Sequence, residues 1–204
     1  MRKLVMAGFV SLDGVMQAPG GPEEDTEGGF PYGGWQFPFA DPEMGDVITR
    51  VFERTSAFLL GRRTYDIFAS YWPEHTDPDD PIASQLNVLP KYVVSTTLTE
   101  PTWQPTTVIA DRVPEQVAEL KKGDGGDILI QGSSRLLQTL LAHDLVDELL
   151  VGIYPVVLGQ GKRLFEKGVP GRTLRLTDSR RTSSGAFFNT YEFAGEVRVG
   201  SFGD

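Results

Sequence analysis

Ile128-Leu129-Ile130-Gln131-Gly132-Ser133-Ser134-Arg135 passes from an apolar, β-type run into glycine, two hydroxyl residues and the start of a helical pattern. Two other stretches share this form. Leu59-Leu60-Gly61-Arg62-Arg63-Thr64-Tyr65 also runs on into a helix, and Tyr92-Val93-Val94-Ser95-Thr96-Thr97 ends in hydroxyls. A helix N-terminus presents unpaired backbone N–H groups at a positive dipole end, so anions bind there. In open α/β sheets, ligands sit beyond the carboxyl ends of the strands. Three such stretches in one domain suggest an extended ligand with several phosphates, and the two guanidinium groups beside Gly61 strengthen that reading. Each stretch alone also has a plainer reading. Gly61 to Thr64 reads as a glycine turn with solvated arginines, Ser95 to Thr97 as a strand end, and Gln131 to Ser134 as a helix cap.

The surrounding pattern alternates strand and helix. Residues 3–11, 57–60, 91–95, 107–110, 127–131 and 146–154 read as strands. Asp41-Pro42 is a good helix start, with Met44, Val47, Ile48, Val51 and Phe52 following at helical spacing. Helices are also expected over 62–70, near 81–88, around Val113, Val117 and Leu120, and around Leu136, Leu137, Leu140 and Leu141. Residues 173–182 and 186–193 form a hairpin across Ser183-Ser184-Gly185. The expected architecture is an α/β, three-layer fold: a mixed, mostly parallel sheet flanked by helices, with a C-terminal antiparallel hairpin. No linker divides the chain, so 1–195 reads as one domain and 196–204 as a tail.

Composition narrows the function. A net charge of −9 and a pI near 4.8 argue against nucleic acid or an anionic membrane as the main partner. An anion site must then be a local basic feature on an acidic body. The chain has no cysteine, which removes thiolate and Fe–S chemistry and is compatible with a cytoplasmic location. Its two histidines, His75 and His143, are far apart, so no metal site is expected.

Several residues are candidates for chemistry. Asp13, in Ser11-Leu12-Asp13-Gly14, closes the first strand and either faces a polar substrate or supports the turn. Asp46 lies early in the first helix, where an acid also suits the dipole. Trp35, Phe37 and Phe39 sit in the glycine-rich segment 17–40. They could cover a flat heterocycle or form a satellite apolar cluster. The segment itself is expected to be a mobile lid that closes Trp35 over the substrate. Gly159-Gln160-Gly161-Lys162 lacks the spacing of a nucleotide-triphosphatase loop.

In order, Ser11-Leu12-Asp13-Gly14, Gly61-Arg62-Arg63-Thr64-Tyr65, Gln131-Gly132-Ser133, Tyr154-Pro155-Val156-Val157-Leu158-Gly159-Gln160-Gly161, Leu164-Phe165 and the hairpin resemble the dihydrofolate reductase-like superfamily. More narrowly, residues 2 to about 194 are similar to the C-terminal reductase domain of the riboflavin-biosynthesis deaminase-reductase. The resemblance implies a mixed eight-stranded sheet, NADPH as hydride donor and a homodimer. It places Gly61, Arg62, Arg63 and Thr64 at the cofactor phosphates. Ser95, Thr96 and Thr97 then lie near the adenosine 2′-phosphate, and Gln131, Gly132 and Ser133 at the pyrophosphate and nicotinamide side. The chain departs from the dihydrofolate reductase pattern at Gln131, where a glycine is usual. No deaminase signature is present, so the substrate need not be the riboflavin intermediate.

The resulting expectation is an NADPH-dependent reductase acting on a small, flat, heterocyclic substrate, like the uracil reductase of riboflavin biosynthesis or dihydrofolate reductase, with Asp13 or Asp46 assisting protonation and Trp35 and Phe37 against the substrate. Two alternatives stay open. One is a non-catalytic small-ligand-binding protein of the same fold. The other is an enzyme using a flavin or deazaflavin.

Overall fold

In the computed structural model, which describes residues 1–202, eight strands form one sheet in the order β4-β3-β2-β5-β1-β6-β8-β7. Along the chain the elements are β1 (Leu4–Ser11), α1 (Pro42–Arg54), β2 (Thr55–Gly61), α2 (Arg62–Ala69), α3 (Pro81–Val88), β3 (Lys91–Val94), β4 (Thr106–Ile109), α4 (Val113–Lys122), β5 (Asp127–Gln131), α5 (Ser134–Ala142), β6 (Glu148–Tyr154), β7 (Leu174–Arg181) and β8 (Phe187–Phe193). The strands β1 to β6 run parallel, and β8 pairs antiparallel with both β6 and β7. The expected mixed sheet with a closing hairpin is therefore what the chain forms.

Strand alternation sends successive side chains to opposite faces, and each face has its own core. Val5, Phe58, Leu60, Leu129 and Leu150 pack with Val51 and Phe52 of α1, Tyr65 of α2 and Leu86 of α3. Leu4, Met6, Leu59, Ile128 and Ile130 pack with Val117 of α4 and with Leu137, Leu140 and Leu141 of α5. The leucine stripe of α5 and the valine–phenylalanine stripe of α1 thus cover opposite faces, giving three layers.

Local chemistry sets the ends of elements. Asp41 caps α1 by accepting the Met44 amide at 2.8 Å, with Pro42 at the first helical position. The same carboxylate accepts the Ser184 amide at 3.0 Å, tying the hairpin turn to α1. The strand expected to reach residue 95 stops at Val94, because the Ser95 hydroxyl accepts the amides of Thr97 and Leu98 and turns the chain. Beyond β8, Ala194 and Gly195 still pair with Thr173.

Strand lengths differ where function is expected. In register, Ala7 of β1 lies beside Gln131 of β5 and Leu150 of β6. There β5 ends, while β1 and β6 continue together to Ser11 and Tyr154. The carboxyl edge of the sheet therefore has a step, and the connections diverge around it. The chain inserts β5 between β1 and β2 before crossing β1 to form β6. Ligands bind at such switch points.

Candidate functional site

Because β3, β2 and β5 are parallel neighbours, their carboxyl ends emerge side by side. The three stretches with phosphate-type composition meet there. The Ser133 hydroxyl accepts the Gly61 amide at 2.8 Å and shares a hydrogen bond with the Thr64 hydroxyl at 2.8 Å. Arg62 donates to the Thr97 hydroxyl at 3.2 Å and forms a two-oxygen pair with Asp66 one turn along α2. Thus 61–64 joins 131–134 on one side and 95–97 on the other.

The backbone at these joins needs the residues found there. A Cβ on Gly61 would fall on the Ser133 hydroxyl, and Gly132 has a φ of +70°, in the left-handed region that favours glycine. Ser133 also has a positive φ of 57° as the residue preceding α5. The hydroxyls, the arginine and the closely approaching backbone form a polar cradle across three strand ends. Such a cradle fits a phosphorylated dinucleotide.

Arg63 is turned elsewhere. Its guanidinium pairs with Glu27 and lies 3.6 Å from Asp25, both in the segment after β1. Lys162 pairs with the same two acids. Lys162 first, and then Arg63, hold the Glu27 carboxyl below its usual range. Of the two arginines expected at the phosphates, Arg62 faces the 95–97 hydroxyls, whereas Arg63 anchors the long segment.

That segment is a built wall and not the expected mobile lid. Trp35 is only 7% exposed and belongs to the core on the α1 side. Its indole N–H donates to the Gln17 carbonyl at 2.8 Å, and its ring meets Tyr154 edge to face at 5.6 Å. Gln17 is itself buried; it donates to the carbonyls of Asp25 and Glu27 and accepts the Lys162 amide. Gln36 donates to the buried Tyr154 hydroxyl at 2.7 Å. The glycines that suggested flexibility include Gly33, where a Cβ would strike the Pro22 backbone, so close packing is the reason for glycine there. Trp35 accordingly offers no free face, and Phe37 is 77% exposed on the outside.

The two candidate carboxylates are not brought together. Asp13 accepts the Leu158 amide at 3.0 Å and the Gly159 amide at 2.9 Å, and pairs with Arg163. The Ser11 hydroxyl, 2.7 Å away, is the main cause of a pKa lowered to about 2, with the Leu158 and Gly159 amides adding to it. A carboxylate held ionised in this way clamps the 155–163 segment to β1 and has no proton to give at neutral pH. Asp46 is exposed, and it precedes Ile48 by two positions, which at 100° per residue turns it about 200° around α1 from Ile48. Since Ile48 faces the sheet, Asp46 faces away from it.

What α1 does face is a crevice at the step in the sheet edge. Its floor is Val51, Phe52, Leu150 and two glycines, Gly8 and Gly152. Its lip is Ala7, Phe9, Ile48 and Gln131, all partly exposed. The enclosed space, about 10 Å³, is that of one water molecule. Among the described residues Gln131 is the only polar one of the lining, and no titratable side chain joins it. The sequence reading placed Gln131 with the cofactor and did not find Ala7, Phe9 or Ile48. Its one available signal was Gln131 standing where a glycine is usual. Among the described residues no His/Cys/Asp/Glu group could hold a metal ion, and no helix is long and apolar enough to cross a membrane.

Comparison with known proteins places this geometry in a family. Residues 2–188 match the family described as RibD C-terminal domain. The uncharacterized protein YyaP of Bacillus subtilis (strain 168) is 33% identical over 196 residues, covering 95% of this chain and 96% of its own. Among solved structures, a Shewanella sp. PV-4 protein ascribed to riboflavin biosynthesis superposes with a TM-score of 0.70 at 22% identity, covering 94% of this chain and 99% of its own. An Enterococcus faecalis dihydrofolate reductase complexed with NADP(H) superposes with a TM-score of 0.59 at 12% identity, covering 94% of this chain and 96% of its own. At these identities the two solved structures speak for the fold.

Proposed function

The chain belongs to the RibD C-terminal domain family, and from that premise we propose that it is an NADPH-dependent reductase of a small, flat substrate. The observation that carries this reading is the convergence of 61–64, 95–97 and 131–134 on one edge, joined through Ser133 and through Arg62 with Thr97. Gly61, Thr64, Gly132 and Ser133 would hold the pyrophosphate side. Arg62 with Ser95, Thr96 and Thr97 would hold the adenosine 2′-phosphate. When bound, NADPH supplies hydride to the carbon of a C=N or C=O group and is left as NADP⁺.

The chain's own part is orientation. The crevice beside Ala7 and Gln131 holds the substrate where β5 ends, next to the polar cradle. The nitrogen or oxygen that gains the electron pair takes its proton from water at the exposed lip. Asp13 is ionised, and no acid lines the crevice. A homodimer remains part of the proposal.

A second reading, a non-catalytic binding protein of the same fold, draws on that lack of an acid. Titrating the protein with NADPH and with NADH tests the cofactor. A charge-assisted hydrogen bond to the 2′-phosphate contributes about 1.5–3 kcal/mol, so NADPH should bind tens-fold more tightly. Equal affinities would remove the assignment. NADPH oxidation that depends on an added carbonyl or imine compound separates enzyme from binding protein.

A further inference from the structure

We infer that the substrate of this site is an uncharged, flat, largely apolar carbonyl compound of the quinone or enone class, and that the Gln131 carboxamide binds its oxygen. The inference takes the site's location from the reductase reading, but its evidence is the lining of the crevice.

Three observations carry it. The lip is Ala7, Phe9, Ile48 and Gln131, so every side chain but one that a ligand meets there is apolar. A charged group placed among them would lose hydration without gaining a partner, at a cost of several kcal/mol. The residue of α1 at the lip is Ile48, and the acid two positions earlier, Asp46, turns away. A cationic or amidine-like ring edge, such as that of a pterin or diaminopyrimidine, would therefore find no carboxylate in the crevice.

Several cations on the carboxyl edge are also engaged, with Arg135 in the first turn of α5 an exposed exception. Arg63 and Lys162 are paired with Asp25 and Glu27, Arg163 with Asp13, and Arg62 with Asp66 at the cofactor cradle. A substrate phosphate at the crevice would find Arg63, Lys162 and Arg163 already neutralised by the chain's own acids.

Gln131 is the exception to this apolar lining. Alternation along β5 sends it to the α1 face with Leu129, and among the described residues its carboxamide has no hydrogen-bond partner. An amide carries both donor and acceptor and no charge. Its N–H suits a carbonyl oxygen, above all one that gains negative charge as hydride arrives at the carbon. The water-sized space would have to widen to admit a flat ring, which requires Phe9 and Ile48, both of them partly exposed, to turn aside.

Binding, with turnover switched off, tests the inference. Calorimetric titrations would use wild type, Gln131→Leu and Gln131→Glu, each cofactor-free and saturated with NADP⁺, which has no hydride to give. The probes are an uncharged 1,4-naphthoquinone, folate and uridine 5′-phosphate. The naphthoquinone should bind wild type more tightly than either other probe. Gln131→Leu should weaken it about tenfold, the worth of one hydrogen bond, and should weaken it more than it weakens NADP⁺. Gln131→Glu keeps the length but loses the N–H donors, and it should weaken the naphthoquinone at least as much. Naphthoquinone binding that is absent, weaker than that of folate or uridine 5′-phosphate, or indifferent to both variants overturns the inference. If NADP⁺ fails to bind while the naphthoquinone binds through Gln131, the cofactor reading falls and this inference stands; the reverse pattern separates them the other way.

Discussion

The cradle proposed for the cofactor and the crevice proposed for the substrate share one edge of the sheet, yet they are assembled in opposite ways. Each part of the cradle is a short run of consecutive residues, 61–64, 95–97 or 131–134, at or just beyond the end of a strand. The crevice takes one to three residues from each of β1, α1, β5 and β6. The cradle is polar and held by side-chain hydrogen bonds such as those of Ser133, whereas the crevice is apolar and shaped by packing. Recognition of phosphate by backbone constrains local sequence strongly, while recognition of a flat apolar ring asks only for suitable volume. The first region can therefore belong to a family, and the second can set what an individual member reduces.

The largest expected effect comes from breaking the cradle where its backbones approach most closely. A β-branched side chain at Gly61 collides with Ser133, and overpacking of this kind costs about 1–3 kcal/mol. Gly61→Val should therefore weaken NADPH roughly tenfold to a hundredfold in calorimetry, while Gln131-dependent binding at the crevice survives. Loss of both together would show that the two regions are one unit. Removing Arg62 tests a single phosphate contact. Arg62→Ala should cost about 1.5–3 kcal/mol of NADPH affinity and leave NADH unchanged, narrowing the preference between them. If NADH weakens equally, Arg62 does not face the 2′-phosphate.

The smallest effect is expected at Asp13, which belongs to neither region. The folded-state pKa is lowered to about 2 from the ordinary value of 3.8, so the clamp contributes its full stability above about pH 4. That contribution is lost as pH falls through about 2. Asp13→Asn should destabilise the protein by about 1–2 kcal/mol near neutral pH, read by denaturant unfolding, and the gap from wild type should close on acidification. Catalysis should fall no further than stability explains. A thousandfold loss of turnover in a well-folded Asp13→Asn protein would restore it as an acid.

Much of the architecture was legible because each element carries its own local signal. Asp41-Pro42 begins α1, the leucines at 136, 137, 140 and 141 make a stripe, and Ser183-Ser184-Gly185 turns the hairpin. The three stretches that meet at 61–64, 95–97 and 131–134 stood out for the same reason. The wall formed by residues 17–40 was misread as a lid because glycine marks flexibility and close packing with the same letter. At Gly33 only the nearby Pro22 backbone distinguishes them. Trp35 likewise became a core residue through Tyr154, which lies 119 positions further along the chain. Arg63 carries the same chemistry as Arg62, and only the fold shows that Asp25 and Glu27 claim it. Ala7 and Ile48 could not be singled out, since an apolar residue on a strand or helix looks like core until the missing neighbour is seen.

On the reading proposed above, three separate stretches form one site for one phosphorylated cofactor. Backbone hydrogen exchange, followed by mass spectrometry with and without saturating NADPH, tests it most directly. Simultaneous protection of 61–64, 95–97 and 131–134, with NADH protecting 95–97 less, is the predicted result. Protection confined to one stretch, or lying elsewhere on the chain, would contradict it.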